Sequence, residues 1–241
     1  MKTVDQLAAH LDAAATSRAA VPQLGAGLDV PTAYRVQEAV VAHRVARGER
    51  LIGVKLGLTS RAKMAQMGVD EVIWGRLTDA MRVPDGGTIR LGDHIHPKAE
   101  PEVAFLVRGG AVAAVAPAIE VIDSRYVDFR FTLPEVVADN TSASGFVLGA
   151  WQPVPDGIDN LGVLLEVDGR VVQVGSTAAI LGDPRRALPD AVRLVGADGG
   201  ELADDSILLA GAATAAVPLR DGAHVRVTVE GLGTASLRVA S

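Results

Sequence analysis

The sequence predicts an α+β chain, with a helical N-terminal segment over residues 1–50 packed on a β-rich domain over residues 51–241, together one structural unit. Three observations carry this. The apolar period is helical at first, with Leu7, Ala8, Leu11 and Ala15 on one stripe. From Leu51 it switches to short Val- and Ile-rich runs punctuated by Gly and Asp. These runs follow one another with few helices between them, which favours a mostly antiparallel core over a parallel sheet alternating with helices.

Taken in order, the first helix gives way to a turn-rich stretch from Pro22 to Asp29. A second helix starts near Pro31, a residue suited to a first turn, and stops at Gly48. Strands are expected at Leu51–Leu58, Thr88–Leu91, Glu102–Val107, Ala118–Ile122, Gly145–Leu148 and Val163–Val167. Asp168-Gly169, between that last run and Val171–Val174, is a tight-hairpin signal. A helix fits Arg186–Val195, and the alternation of Val225, Val227 and Val229, then of Leu237 and Val239, closes the chain with strands.

Composition removes several function classes. With 241 residues, 49% hydrophobic and 22% charged, the chain is long enough for a core and too apolar for wholesale disorder. Aromatic residues are only 3%, too few for a single-strand stacking platform, and the net charge of −6 argues against a nucleic-acid partner. There is no cysteine, so thiolate metal sites, disulfides and a cysteine nucleophile are excluded. No apolar run approaches a membrane span and the first residues lack a signal-peptide shape, so a soluble, cytoplasmic protein is expected.

The sharpest local feature is His96-Pro97-Lys98-Ala99-Glu100-Pro101-Glu102. In an extended chain Glu100 and Glu102 point to the same side, where two carboxylates repel unless a cation sits between them. The competing reading is a solvated strand edge. Glu120 adds a third carboxylate, placed in the apolar run Ala118–Ile122, where it needs a partner if it faces inward. Hard oxygen ligands of this kind suit Mg²⁺, Mn²⁺ or Ca²⁺. Lys55 sits mid-run in Gly53–Ser60, either as an edge-strand lysine with its head in water or as a desolvated proton-transfer group. Gly57 beside it permits close approach of a ligand to backbone. Asp79, taken alone, reads as a turn residue. The polar stretch Ala138–Gly145 suits a polar ligand or a self-bonded turn, and the Gly of Ala210–Thr214 could turn backbone amides toward an anion. No phosphate loop, dinucleotide fingerprint or nucleophile elbow is present.

In this order the motifs resemble the fumarylacetoacetate hydrolase superfamily, in its branch of 2-keto-4-pentenoate hydratases and 4-oxalocrotonate decarboxylases. The resemblance rests on Lys55–Ser60 with Ala62–Val69, Ile95–Glu102, Glu120–Tyr126 and Val137–Ser142, and spans about Leu7 to Val239. It implies a β-rich mixed roll or sandwich carrying Mg²⁺ or Mn²⁺ on Glu100, Glu102 and Glu120. It implies Lys55 and Asp79 as acid–base groups lining one cavity, and Leu56, Gly57, Ser142 and Thr214 as substrate contacts. The connection between Glu102 and Glu120 is shorter than this branch leads one to expect. The resemblance implies a lyase acting on a 2-oxo acid, first a decarboxylase of a vinylogous 2-oxo acid such as 2-oxohex-3-enedioate, working through a metal-stabilised dienolate. A 2-hydroxypenta-2,4-dienoate hydratase is the second reading, an acylpyruvate-type C–C hydrolase the third, and a non-catalytic structural relative the fourth. A homo-oligomer, associated or not with a pathway enzyme, is expected.

Overall fold

The computed structural model describes residues 2–25, 27–60, 64–65 and 71–241. Of the Ala62–Val69 motif, only Met64 and Ala65 lie within them. Helix α1 (Val4–Ser17) opens on Thr3, whose hydroxyl accepts from Gln6 N while the Gln6 side chain accepts from Thr3 N. Helix α2 (Val30–Ala46) is capped by the Asp29 carboxylate, which accepts from Thr32 N at 2.8 Å, with Pro31 in its first turn. Both helices bury one stripe: Leu7, Ala8, Leu11, Ala33, Val36 and Val40 form a cluster with Tyr126, Val136 and Val137.

The chain then turns to strands: β1 (Leu51–Gly57), β2 (Ile73–Thr78), β3 (Arg82–Val83), β4 (Thr88–Arg90), β5 (Lys98–Arg108), β6 (Ala111–Ile122) and β7 (Ala143–Leu148). After them come β8 (Gly162–Val167), β9 (Arg170–Ser176), β10 (Ser206–Ala212), β11 (Val217–Pro218), β12 (His224–Val229) and β13 (Gly233–Ala240). Two further helices are α3 (Leu133–Ala138) and α4 (Ala187–Ala197). One sheet runs β2-β1-β10-β5-β6-β7-β3, with β11 pairing β5. The other runs β4-β13-β12-β8-β9. Their facing sides share one core, in which Phe105, Val115, Ile119 and Leu208 meet Leu165, Val225, Val227 and Leu237. Pairing is mostly antiparallel, but β1–β10, β13–β4 and β3–β7 are parallel.

The Asp168-Gly169 hairpin turns as its residues require, with φ of 53° and 74°, the two left-handed positions of a tight primed turn. The short connection between Glu102 and Glu120 is a β5–β6 hairpin closed by Gly109-Gly110. Several elements were not foreseen: β2, β3, β10, β11, α3 and the first half of β6. β2 is broken up by Gly75 and Arg76 and lacks alternation. The first half of β6 is mostly alanine. α3 is only six residues long, although Thr132 and Glu135 form a capping box at its start.

Register is what builds the interior of the larger sheet. Glu100 lies directly opposite Glu120 in the β5–β6 ladder, and Glu102 follows two residues on along β5. β1 stands three positions from β6 in the strand order, yet Lys55 Nζ reaches Glu120 Oε2 at 3.1 Å. Only a strongly curled sheet allows that, since flat strands are about 4.8 Å apart. The curl is held where the turn before β7 meets β2. Thr141 Oγ1 donates to Trp74 O at 2.8 Å, Arg76 N donates to Asn140 Oδ1 at 2.8 Å, and Asn140 Nδ2 donates to Arg76 O at 2.9 Å.

Candidate metal centre

Glu100, Glu102 and Glu120 each bring a carboxylate oxygen to within 4.8 Å of the others. Their exposures are 6%, 1% and 1%, so this is not a solvated strand edge. Lys55, 3% exposed, lies against the group; besides its pair with Glu120, its Nζ donates to Thr141 O at 3.2 Å. Glu102 Oε2 accepts from Gly211 N at 3.0 Å. That bond depends on a bulge in β10 between Leu209 and Ala212, where Gly211 adopts a φ of 115°. A Cβ there would fall onto the Thr59 side chain, so the position requires glycine.

Lys55 pairs with Glu120, and Glu102 Oε1 and Glu120 Oε1 have no hydrogen-bond partner among the described residues. Burial, the strongest influence, pushes the Glu102 carboxyl well above the usual range, and the Glu120 charge adds to this against the pull of Lys55. Glu120 is raised too, by burial against the lowering influence of Lys55. Burial works against the Lys55 ammonium, but Glu120, Glu102 and Glu100 together hold its pKa above the ordinary lysine value. Three buried carboxylates converging within 4.8 Å, two of them with an oxygen lacking a hydrogen-bond partner among the described residues, fit a hard divalent cation such as Mg²⁺ or Mn²⁺.

Above this group lies a cavity of about 320 Å³. Its walls include Ile73, Ile122, Phe129, Phe131 and Val136, and its charged lining residues are Lys55, Lys98 and Glu100. Leu56, Gly57 and Ser142 line it as well, and Ser142 Oγ is buried without a hydrogen-bond partner among the described residues. Asn140, Thr141 and Ser142 all have positive φ, from 50° to 56°. Three consecutive left-handed residues are strained, and strain of this kind gathers at functional sites. Behind them Arg125 holds the turn: its guanidinium bonds the Asp139 side chain and main chain, and its Nη1 donates to Asp123 O at 2.6 Å.

Two sequence assignments are corrected. Asp79 does not share the cavity. The β1–β2 register sets Lys55 opposite Gly75 and Leu51 opposite Thr78, so Asp79 leaves the far end of the ladder. There it accepts from Arg50 N at 2.9 Å and Arg50 Nε at 2.8 Å, which hold its carboxyl below the usual range. Thr214 is not among the lining residues either. Its Oγ1 donates to Ala215 O at 3.1 Å, and its methyl group packs so tightly on Gly175 that a Cβ there would approach it to 2.6 Å. Ala212, Ala215 and Ala216 form that wall instead. Sequence reasoning missed Lys98, Phe129, Phe131 and Thr141 as lining residues. Lys98 carries a readable signal, because it precedes Glu100 by two on the same strand face.

A second polar group needs separating from the first. Ser144 Oγ lies 2.9 Å from His94 Nδ1 and Asp123 Oδ2 lies 3.7 Å from the same nitrogen. A nucleophile relay needs its partners on opposite ring nitrogens, so this trio is not one.

The fold agrees with what the chain is similar to. A 4-oxalocrotonate decarboxylase of a Pseudomonas species is 49% identical over 247 residues, covering 97% of this chain and 96% of that one. A 2-keto-4-pentenoate hydratase of Paraburkholderia xenovorans is 32% identical over 222 residues, covering 86% and 82%. The solved structure of the 4-oxalocrotonate decarboxylase from Pseudomonas putida G7, complexed with magnesium and adipate, superposes with a TM-score of 0.94 at 35% identity, covering 98% of this chain and 97% of that one. Residues 83–240 match the fumarylacetoacetate hydrolase C-terminal family, which takes in both larger-sheet strands carrying the three glutamates. With the curled sheet and the match over nearly its whole length in agreement, the chain belongs to the fumarylacetoacetate hydrolase family.

Proposed function

We propose that this chain is a divalent-metal-dependent lyase that decarboxylates a vinylogous 2-oxo acid of the 2-oxohex-3-enedioate type. The observation that carries the reading is the buried trio of Glu100, Glu102 and Glu120 beside Lys55 at one end of a largely apolar cavity. Those three glutamates would hold Mg²⁺ or Mn²⁺, which when bound supplies Lewis acidity to a 2-oxo group.

The remaining work falls to the chain's own residues. Loss of carbon dioxide breaks the bond to the distal carboxylate, and that electron pair moves through the C=C bond onto the 2-oxo oxygen, giving a dienolate. Lys55 supplies positive charge beside the oxygen as charge develops there, in a site where water does not screen it. The Glu120 carboxylate and Thr141 carbonyl fix the direction of its ammonium. Ser142 Oγ offers a hydrogen bond to the substrate's polar head. Ile73, Ile122, Phe131 and Val136 keep water from the dienolate.

The test is to incubate the purified protein with Mg²⁺ and a panel of 2-oxo acids and dienols and identify the products. Release of carbon dioxide from 2-oxohex-3-enedioate is expected. The relatives named as hydratases make water addition to 2-hydroxypenta-2,4-dienoate the second reading. Water addition without decarboxylation would replace the first reading with it, and cleavage of an acylpyruvate would replace both. No helix among the described residues is long and apolar enough to cross a membrane, and a cytoplasmic location goes with the reading. Self-association is inferred from β9, an edge strand with Val171, Val172 and Val174 exposed. Light scattering on the purified protein reads it, and a monomer would refute it.

A further inference from the structure

The cavity holds a cation that the trio of glutamates does not employ. Lys98 lines it, and its ammonium lies 3.8 Å from the centre of the Phe129 ring. Lys55 is engaged by Glu120 and Thr141, whereas Lys98 has no carboxylate within ion-pair distance among the described residues. We propose that Lys98 is the specificity-determining residue for the distal carboxylate of the substrate, so that the site selects 2-oxo dicarboxylates over 2-oxo monocarboxylates. The inference rests on the reading above, in which the 2-oxo acid end lies at the three glutamates.

Spacing supports it. Lys98, Glu100 and Glu102 occupy alternate positions on one face of β5. The Lys98 backbone therefore stands about 7 Å from that of Glu100 along the strand, of the order of the length of an extended six-carbon diacid. The cavity between is walled by apolar side chains, which reward a hydrocarbon chain and offer a second carboxylate no other free cation among the described residues. The Phe129 ring is set deliberately. It lies between two groups of the β5 approach, with the His96 ring centre 4.5 Å away and the Lys98 ammonium on it. Asp128 and Phe129 adopt φ of 58° and 55° to put it there, two strained residues in succession.

The chemistry explains why a ring should share the ammonium. The distal carboxylate is the group lost as carbon dioxide, and its negative charge must leave it during the reaction. An ammonium bonded to it alone would stabilise the substrate more than the transition state. A lysine held also by an aromatic face gives recognition with a looser grip. Lys98 then contributes to substrate binding and makes or breaks no bond.

Titration calorimetry on the Mg²⁺-loaded protein with 2-oxoadipate and 2-oxohexanoate tests this, because the two share the chelating end and chain length and differ only in the distal carboxylate. The wild type is expected to bind 2-oxoadipate about tenfold or more tightly than 2-oxohexanoate, the range of one charged hydrogen bond. In Lys98→Met the preference should vanish, with 2-oxohexanoate affinity and Mg²⁺ affinity unchanged, and Lys98→Arg should keep most of it. In turnover, Lys98→Met should raise KM and leave kcat nearly constant. A Lys98→Met protein that retains the preference, or that loses both ligands equally, overturns the assignment. If neither acid binds the wild type while Mg²⁺ does, chelation of the 2-oxo acid end itself fails, and the role of Lys98 falls with it.

Discussion

Glu102→Gln should stabilise the metal-free protein and destabilise the metal-loaded one. Without metal, Glu102 is a buried carboxylate whose Oε1 has no hydrogen-bond partner among the described residues, facing two others. A glutamine keeps an oxygen to accept from Gly211 N, removes one charge, and can donate its NH₂ toward the Glu120 carboxylate. Replacing an uncompensated buried charge by a bonded neutral group is expected to gain about 1–2 kcal/mol. For a chain of this length that is roughly 3–6 °C in Tm. With metal at a hundred times its Kd, the wild type gains about 2.7 kcal/mol, a gain the variant largely loses with one of three ligands gone. The order of stability therefore inverts between EDTA and saturating Mg²⁺. The pH trend follows from the same burial. Because the folded Glu102 carboxyl titrates above its unfolded value, the metal-free fold holds its proton after the unfolded chain has lost it. Stability in EDTA thus falls as pH rises through the window between the two values, and Glu102→Gln flattens that slope. Thermal unfolding read by circular dichroism, in EDTA and in Mg²⁺ across pH 5 to 8, measures all of it (the range is about that of maximal stability for most proteins). A variant less stable than the wild type in EDTA, or an equal Mg²⁺ shift in both, would sink the idea that the trio is a buried metal cradle.

Three other outcomes are expected. Lys55→Met should fold and bind metal but lose roughly 10²-fold or more in turnover, whereas Asp79→Asn should turn over like the wild type, because Asp79 engages Arg50 outside the cavity; steady-state kinetics on the identified substrate separate them. Gly211→Ala should lower Tm and weaken Mg²⁺ binding together, since it strains the bulge against Thr59 and moves the amide that holds Glu102, which paired melting and metal titrations will read. Asp123→Asn should lower stability at neutral pH by about 1–3 kcal/mol, because Asp123 accepts from Ile95 N and His96 N at 2.8 Å each. Burial pushes its carboxyl up, but His94 and these two amides hold it below the usual value, so its contribution is present above the unfolded pKa and disappears as pH falls through the folded one. The melting profile of the variant should therefore be flatter on the acid side.

The sequence made the clustering of the three glutamates legible because its information is local. Glu100 and Glu102 share a strand face by alternation alone, and Glu120 betrays itself as a charge inside an apolar run. The change of apolar period between the second helix and β1 was equally plain, as was the Asp168-Gly169 turn. Asp79 was misplaced because its position depends on the β1–β2 register, a non-local quantity. β2 contains Gly75 and Arg76 where alternation would announce a strand, so there was no register from which to learn that Asp79 lies four positions beyond Lys55's partner.

Lys55 shows where local and non-local information must combine. Its neighbours predict only a lysine in an apolar strand, for which an exposed edge is the ordinary outcome. In the fold β1 is not an edge: β2 and β10 flank it. The lysine's burial is tolerated because the sheet curls until Glu120 lies opposite, and the curl depends on the 140–142 turn docking on Trp74 and Arg76 of β2. That turn in turn needs the Arg125–Asp139 pair beneath it. The charge at the three glutamates is thus set by a chain of contacts running from β7 back to β2, none of which a strand pattern encodes. The same chain explains why strain is tolerated at Asn140, Thr141 and Ser142. Their backbone closes the sheet and presents the Thr141 carbonyl to Lys55, so relaxing them would separate the ammonium from the carboxylates that make its burial possible.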